Sequence, residues 1–125
     1  MTTGTKYKKL PNTKGKILVS DVSSCFLSEP IDVSKYGIVY GGVQKNIGPA
    51  GMVISIIRED LITDDVLEGT PTMLKFKTQA DAGSLYNTPN CNGIQAMILK
   101  HYAFSSSNFF MNSTNFSTPA FGIAL

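Results

Sequence analysis

Three places in the chain hold residue types that do chemistry at a spacing worth noting. Lys45 stands in YGGVQKNIGPAG, directly after an apolar run, with Gly41, Gly42, Gly48 and Gly51 around it. An ammonium taken out of water gives up its proton more readily, and only a neutral amine adds to a carbonyl to make a Schiff base. Glycines so placed let backbone approach a flat ligand closely. Asp21 ends a second apolar run and is followed by Val22, Ser23 and Ser24. In open α/β sheets, ligands sit beyond the carboxyl ends of strands, and an acid there can hold a protonated ring nitrogen. The third place is SLYNTP, residues 84–89, where Asn87 and Thr88 bring an amide and a hydroxyl to a predicted helix start. Free backbone N–H groups at such a start favour an anion such as phosphate.

Each of these has a plain alternative. Taken alone, each is better read plainly: Lys45 as a solvated loop lysine, Asp21 as a turn residue, and Asn87-Thr88 as an ordinary helix cap. Taken together they match the parts of a pyridoxal-phosphate site: a Schiff-base former, a partner for the pyridinium and an anchor for the phosphate.

The elements that must position these residues are short. Ile17-Leu18-Val19, Gly37–Tyr40 and Met52–Ile57 are apolar, β-branched runs bounded by glycine or polar residues, which predicts three buried strands. Residues 59–68 hold Glu59, Asp60, Asp64, Asp65 and Glu68 and read as a short polar helix or loop. Thr88 as N-cap and Pro89 at the first helical position predict a helix running to about His101, with Ile94, Met97, Ile98 and Tyr102 on one side. His101 is the only histidine, and a lone histidine at a helix end reads as a cap or surface residue rather than a ligand.

Composition bounds the classes. The 125 residues suit one small domain, and hydrophobic residues at 42% with charged residues at 16% fit neither a disordered acidic chain nor a coiled coil. A net charge of +2 is too mild to argue for nucleic acid. Lys6, Lys8, Lys9, Lys14 and Lys16 crowd the start, but without a recognisable nucleic-acid motif. There is no long apolar run for a membrane span and no apolar stretch of a secretory signal at the start, so a cytoplasmic protein is expected. Cys25 and Cys91 follow no CxxC spacing, which argues against a zinc site or redox pair. A single bridge stays possible, and two free thiols in a reducing compartment is the simpler reading. Tyr102–Leu125 carries no charge yet holds Phe104, Phe109, Phe110, Phe116 and Phe121, a shift that sets residues 102–125 apart as a divergent tail. Asn112 and Asn115 there fit a glycosylation pattern, which chance explains in so asparagine- and serine-rich a stretch.

Residues 15–100 resemble phosphoserine aminotransferases, carried by DVSSCFLSEPIDVSKYGIVYGGVQKNIGPAGMVISIIREDL over 21–61 and by SLYNTP over 84–89. The resemblance implies an α/β fold, with residues 1–101 forming part of the three-layer αβα large domain of a fold type I pyridoxal-phosphate enzyme. It implies that Lys45 forms the Schiff base with pyridoxal 5'-phosphate, that Asp21 pairs with the pyridine nitrogen, and that Gln44 contacts the cofactor. Asn87 and Thr88 would bind the cofactor phosphate, reaching it from the other subunit of a homodimer. The implied reaction moves an amino group between glutamate and 3-phosphohydroxypyruvate, giving O-phosphoserine and 2-oxoglutarate, in serine biosynthesis. No metal, nucleic acid or membrane partner is implied.

The chain departs from that family in several ways. Members are much longer on both sides, so strands central in the full sheet are expected to become edges here and Lys45 to be solvated, with weak or no activity of this chain alone. Arg58 is the one arginine and is not an evident carboxylate clamp. Gly42 and Val43 stand where small alanine-like residues are usual, and Asn90-Cys91-Asn92-Gly93 replaces a more apolar helix start. The competing expectation is a catalytically inactive remnant that persists as an interaction piece, pairing through residues 84–102.

Overall fold

A computed structural model describes residues 7–105 and 121–124. Strand β1 spans Val19–Asp21, β2 Ile38–Gly42, β3 Val53–Arg58 and β4 Phe121–Ala124. Helix α1 spans Phe76–Asp81 and α2 Cys91–Ser105. The strands form one mixed sheet in the order β1-β2-β3-β4. β1 and β2 are parallel, with Asp21 opposite Tyr40, whereas β2–β3 and β3–β4 are antiparallel. The three strands expected from the apolar runs are present, each displaced one or two residues toward its C-terminus.

Strand alternation gives the sheet two faces. Val39 and Ile56 are register partners and both buried. They join Phe26, Val43 and Ile47 in one core, against which Val22, Ile31, Val33, Tyr36, Met52, Ile54 and Met97 pack. The core is thus built between the sheet, the β1–β2 crossover and α2. The other face carries Tyr40, opposite Ser55, and Val53, both partly exposed. An apolar groove of about 280 Å³ lies there, lined by Val53, Met73, Leu74 and Phe76 among others.

Parallel strands cannot be joined by a tight turn, and a crossover of about a dozen residues or more is required. Residues 22–37 supply it without an α-helix. Only the 3₁₀ turn Val33–Lys35 interrupts it, capped by Asp32, whose side chain accepts from Ser34 N–H. Phe26, buried to 3% exposure, plugs the crossover into the core. Gly41 allows this approach. A Cβ there would lie 3.0 Å from the Ser23 backbone nitrogen and 2.9 Å from the Phe26 ring.

Two expectations are corrected. Helix α2 begins at Cys91, not at Pro89. Asn90, not Thr88, caps it, since Gly93 N–H donates to Asn90 Oδ1 at 3.0 Å and Ile94 N–H donates to the Asn90 carbonyl at 3.0 Å. Asparagine is the stronger cap, and the Thr88 N–H is already turned onto Asn87 Oδ1. The helix also continues beyond His101 to Ser105. β3 is paired on both sides, because β4 lies along it with Ile56 opposite Ile123. The outer strands β1 and β4 are the two edges of this sheet. Asn112 and Asn115 lie outside the described residues. Among the described residues no helix is long and apolar enough to cross a membrane.

Candidate functional site

Because β1 and β2 run parallel, their carboxyl ends open on the same edge of the sheet. Asp21 closes β1, and β2 runs on through Gly42 into the 3₁₀ turn Val43–Lys45. The local sequence determines which side chains of that turn face outward. Val43 and Ile47 are both buried, and the N–H groups of Ile47 and Gly48 both return to the Val43 carbonyl at 2.9 Å. With those two positions turned inward, Gln44 and Lys45 are left exposed on top. The loop is held from below by Asn46, whose amide donates to the Phe26 carbonyl at 2.7 Å. It is held from the side by α2: Lys100 Nζ donates to the Asn46 carbonyl, and Met97 lies against Gly48.

Lys45 Nζ donates to Ser24 Oγ at 2.9 Å, so its amine turns back toward the segment that follows Asp21. Asp21 Oδ1 accepts from the Ser23 hydroxyl at 2.6 Å and from the Ser23 backbone N–H at 2.9 Å. The Ser23 hydroxyl is the largest influence holding this carboxyl below its ordinary value of 3.8, the Ser23 N–H adds to it, desolvation opposes it, and the charge of Lys45 lowers it further. An acid kept ionised in this way suits a protonated heterocyclic nitrogen, for which a negative partner is needed. A primary amine within electrostatic reach of it suits an aldehyde carried by the same ring. The residues present therefore fit pyridoxal phosphate in the chemistry of their donors.

Four other observations complete the geometry. The Gln44 amide folds back over the end of β2, where a Cβ on Gly42 would lie 2.5 Å from its Oε1. Lys45 and Asp21 are both exposed, so Lys45 is solvated in this chain, as expected. Asn87 and Thr88 sit in the extended segment ahead of α2, both exposed. Among the described residues their side-chain bond is local, the Thr88 N–H donating to Asn87 Oδ1, and nothing joins them to Asp21, Gln44 or Lys45. Arg58 is occupied by Asp60, its Nε 2.5 Å from Oδ1, and stands away from the Lys45 loop at the far end of β3.

Sequence reasoning passed over Ser23, Ser24, Asn46 and Asn90. The D-x-S spacing of Asp21 and Ser23 is a readable signal, because a serine two residues after an aspartate commonly closes a local side-chain turn. The bond from Asn46 to Phe26 joins residues 20 apart in sequence and leaves no local pattern to read.

Residues 5–106 match the family described as aminotransferase class-V. The phosphoserine aminotransferase of Desulfosudis oleivorans is 51% identical over 96 residues, covering 77% of this chain and 26% of that protein. The solved phosphoserine aminotransferase of Bacillus circulans subsp. alkalophilus superposes with a TM-score of 0.70 at 40% identity, over 81% of this chain and 28% of that one. The pyridoxal-phosphate-bound enzyme from Trichomonas vaginalis superposes with a TM-score of 0.75 at 30% identity, over 82% of this chain and 28% of that one. The chain spans about a quarter of the length of these relatives. The mixed sheet with its helices is accordingly an α/β portion of a fold type I large domain, and the cofactor of the family is pyridoxal phosphate. A match over residues 5–106, with the strand-end acid and the loop lysine on one edge of the sheet, places this chain in the class-V aminotransferase family.

Proposed function

We propose that this chain carries the cofactor-holding centre of a phosphoserine aminotransferase. Such an enzyme moves an amino group between glutamate and 3-phosphohydroxypyruvate, giving O-phosphoserine and 2-oxoglutarate. The observation that carries the reading is the convergence of Asp21 and Lys45 at the carboxyl ends of two parallel neighbours, with Lys45 close enough to bias the ionisation of Asp21. Bound at this edge, the pyridine ring supplies the electron sink for charge that develops on the substrate carbon. Lys45 Nζ would hold the aldehyde of the cofactor and, once the substrate amine has taken its place there, would accept and return the proton of the substrate carbon. Asp21 holds the proton on the ring nitrogen, and Gln44 lies beside the lysine as a contact for the ring substituents. Asn87 and Thr88 bind the phosphate from the second subunit of a homodimer. Exposed Leu85, Tyr86, Ile98 and Leu99 around that segment support a surface that is covered in such an assembly. Two free thiols, Cys25 and Cys91, suit a reducing cytoplasm.

The exposure of Lys45 favours a second reading, in which the chain keeps this geometry but acts only as an interaction piece. One measurement separates the two. The purified chain is mixed with pyridoxal phosphate and scanned for the absorbance band of a protonated Schiff base, beside Lys45→Ala. The aminotransferase reading expects the band in the parent chain and its loss in the variant. A band of equal size in both reports labelling of other lysines and leaves only the interaction reading.

A further inference from the structure

The hydroxyl of Ser23 makes two bonds at once. It donates to Asp21 Oδ1 at 2.6 Å and accepts from the Gly42 N–H at 2.9 Å. Gly42 is the last residue of β2 and precedes the turn that carries Gln44 and Lys45. We infer that Ser23 is a positioning residue that ties the Asp21 carboxylate, through Oδ1, to the backbone root of the Lys45 loop, leaving Oδ2 as the oxygen that would meet a protonated ring nitrogen. The inference rests on the pyridoxal reading for its purpose, but not for its geometry.

Two features of the fold support it independently. The β1–β2 ladder ends at Asp21 opposite Tyr40, and Val22 N–H continues it to the Tyr40 carbonyl at 2.8 Å. Beyond that point the Gly42 N–H has no strand β1 to face, and the Ser23 hydroxyl takes it. Gly41 leaves room for this, since a Cβ there would lie within 3.2 Å of the Ser23 Cα. The chain also contains an internal control. Asp32 and Ser34 repeat the D-x-S spacing and the local bond, Ser34 Oγ to Asp32 Oδ1 at 2.6 Å, and both carboxyls lie below their ordinary value, with the serine hydroxyl as the largest influence. Only Ser23 adds a bond to a strand 19 residues away. A serine hydroxyl has one proton to give and lone pairs to accept with, so the two bonds are compatible and each restricts the rotation that the other permits.

The test is run on the cofactor-free full chain. Carboxyl titrations of Asp21 and Asp32 and amide exchange at Gly42 and Val39 are followed by NMR in the parent chain, Ser23→Ala, Ser23→Thr and Ser34→Ala. Ser23→Ala is expected to raise the Asp21 titration toward 3.8 and to speed Gly42 exchange about tenfold, as for loss of a bond of roughly 1.4 kcal/mol, with Val39 unchanged. Ser23→Thr is expected to restore both. Ser34→Ala is expected to move Asp32 without touching Gly42. An Asp21 titration that ignores Ser23→Ala, or Gly42 exchange that changes no more than Val39, overturns the inference. Should Ser23→Ala fail to fold, Ser23→Cys, nearly isosteric and a poor donor, is read by the same two signals. Persistence of the Ser23 signature in a chain whose Lys45 takes up no pyridoxal phosphate would uphold the tie and overturn the cofactor reading alone.

Discussion

At the scale of single residues, the site depends on small side chains as much as on reactive ones. Gly41 is the clearest case. Its missing Cβ is the space that the Ser23 backbone occupies, and backbone cannot rotate out of the way as a side chain tip can. Gly41→Ala is therefore expected to cost about 1–3 kcal/mol in urea unfolding and to weaken cofactor retention, because strain there displaces the segment following Asp21. Gly48→Ala would place a Cβ 2.9 Å from Met97 Cγ, near the root of a side chain on α2, and is expected to cost about 1–3 kcal/mol by pushing α2 off the loop. Lys45 and Asp21 were legible in the sequence because their types are unusual at the ends of apolar runs. Ser23 was not singled out, since half of its role, the bond to Gly42, belongs to a strand that sequence proximity does not reveal. The inward turn of Val43 and Ile47 on either side of Lys45, which leaves Lys45 outside, was not read from the sequence, because it is set by packing in the folded chain.

At the scale of elements, the strands were readable in kind and shifted in boundary. An apolar run marks what is buried, whereas hydrogen bonding decides where pairing ends, so β1 extends to the polar Asp21 and β2 into Gly41-Gly42. Helix α2 shows the same division. The Thr88-Pro89 pair looks like a start, but the side chain that satisfies the N-terminal amide is that of Asn90. Asn90 also sits against Gly51, 2.9 Å from where a Cβ would stand, so the cap and the docking of the helix on the Lys45–Met52 loop are one feature. Asn90→Ala is expected to lower stability by about 1 kcal/mol in thermal or urea unfolding. It is also expected to raise amide exchange at Gly93 and Ile94 more than in the rest of α2. Strand β4 carried no sequence signal, because Phe121–Ala124 lies in an uncharged tail outside the family match and is recruited by the free side of β3.

At the scale of the whole molecule, acidic groups set the pH response. Asp21, Asp32 and Asp60 all titrate below 3.8, the first two chiefly through serine hydroxyls and the third through Arg58. A carboxyl whose folded value is depressed adds stability that is complete above its unfolded value and is lost as pH falls through the folded one. The midpoint of urea unfolding should therefore be level between about pH 5 and 8 and fall below about pH 4. Arg58 and Lys77, raised by Asp60 and Asp81, lose their contribution only above the ordinary lysine range, so they leave that plateau flat. A midpoint that rises on acidification would contradict these assignments. Exposed apolar residues on α2 and the segment before it, Leu85, Tyr86, Ile98 and Leu99, belong to a chain that spans about a quarter of its relatives' length.

Where pyridoxal phosphate attaches decides whether Lys45 and Asp21 form a cofactor site. The chain is incubated with the cofactor at low excess, reduced with borohydride to fix any Schiff base as a secondary amine, digested and mapped by mass spectrometry. A reduced pyridoxyl group is expected to concentrate on Lys45 and to diminish in Asp21→Asn. Modification spread over Lys8, Lys9, Lys14 and Lys16 in proportion to their exposure, with Lys45 no more labelled than they are, would contradict it.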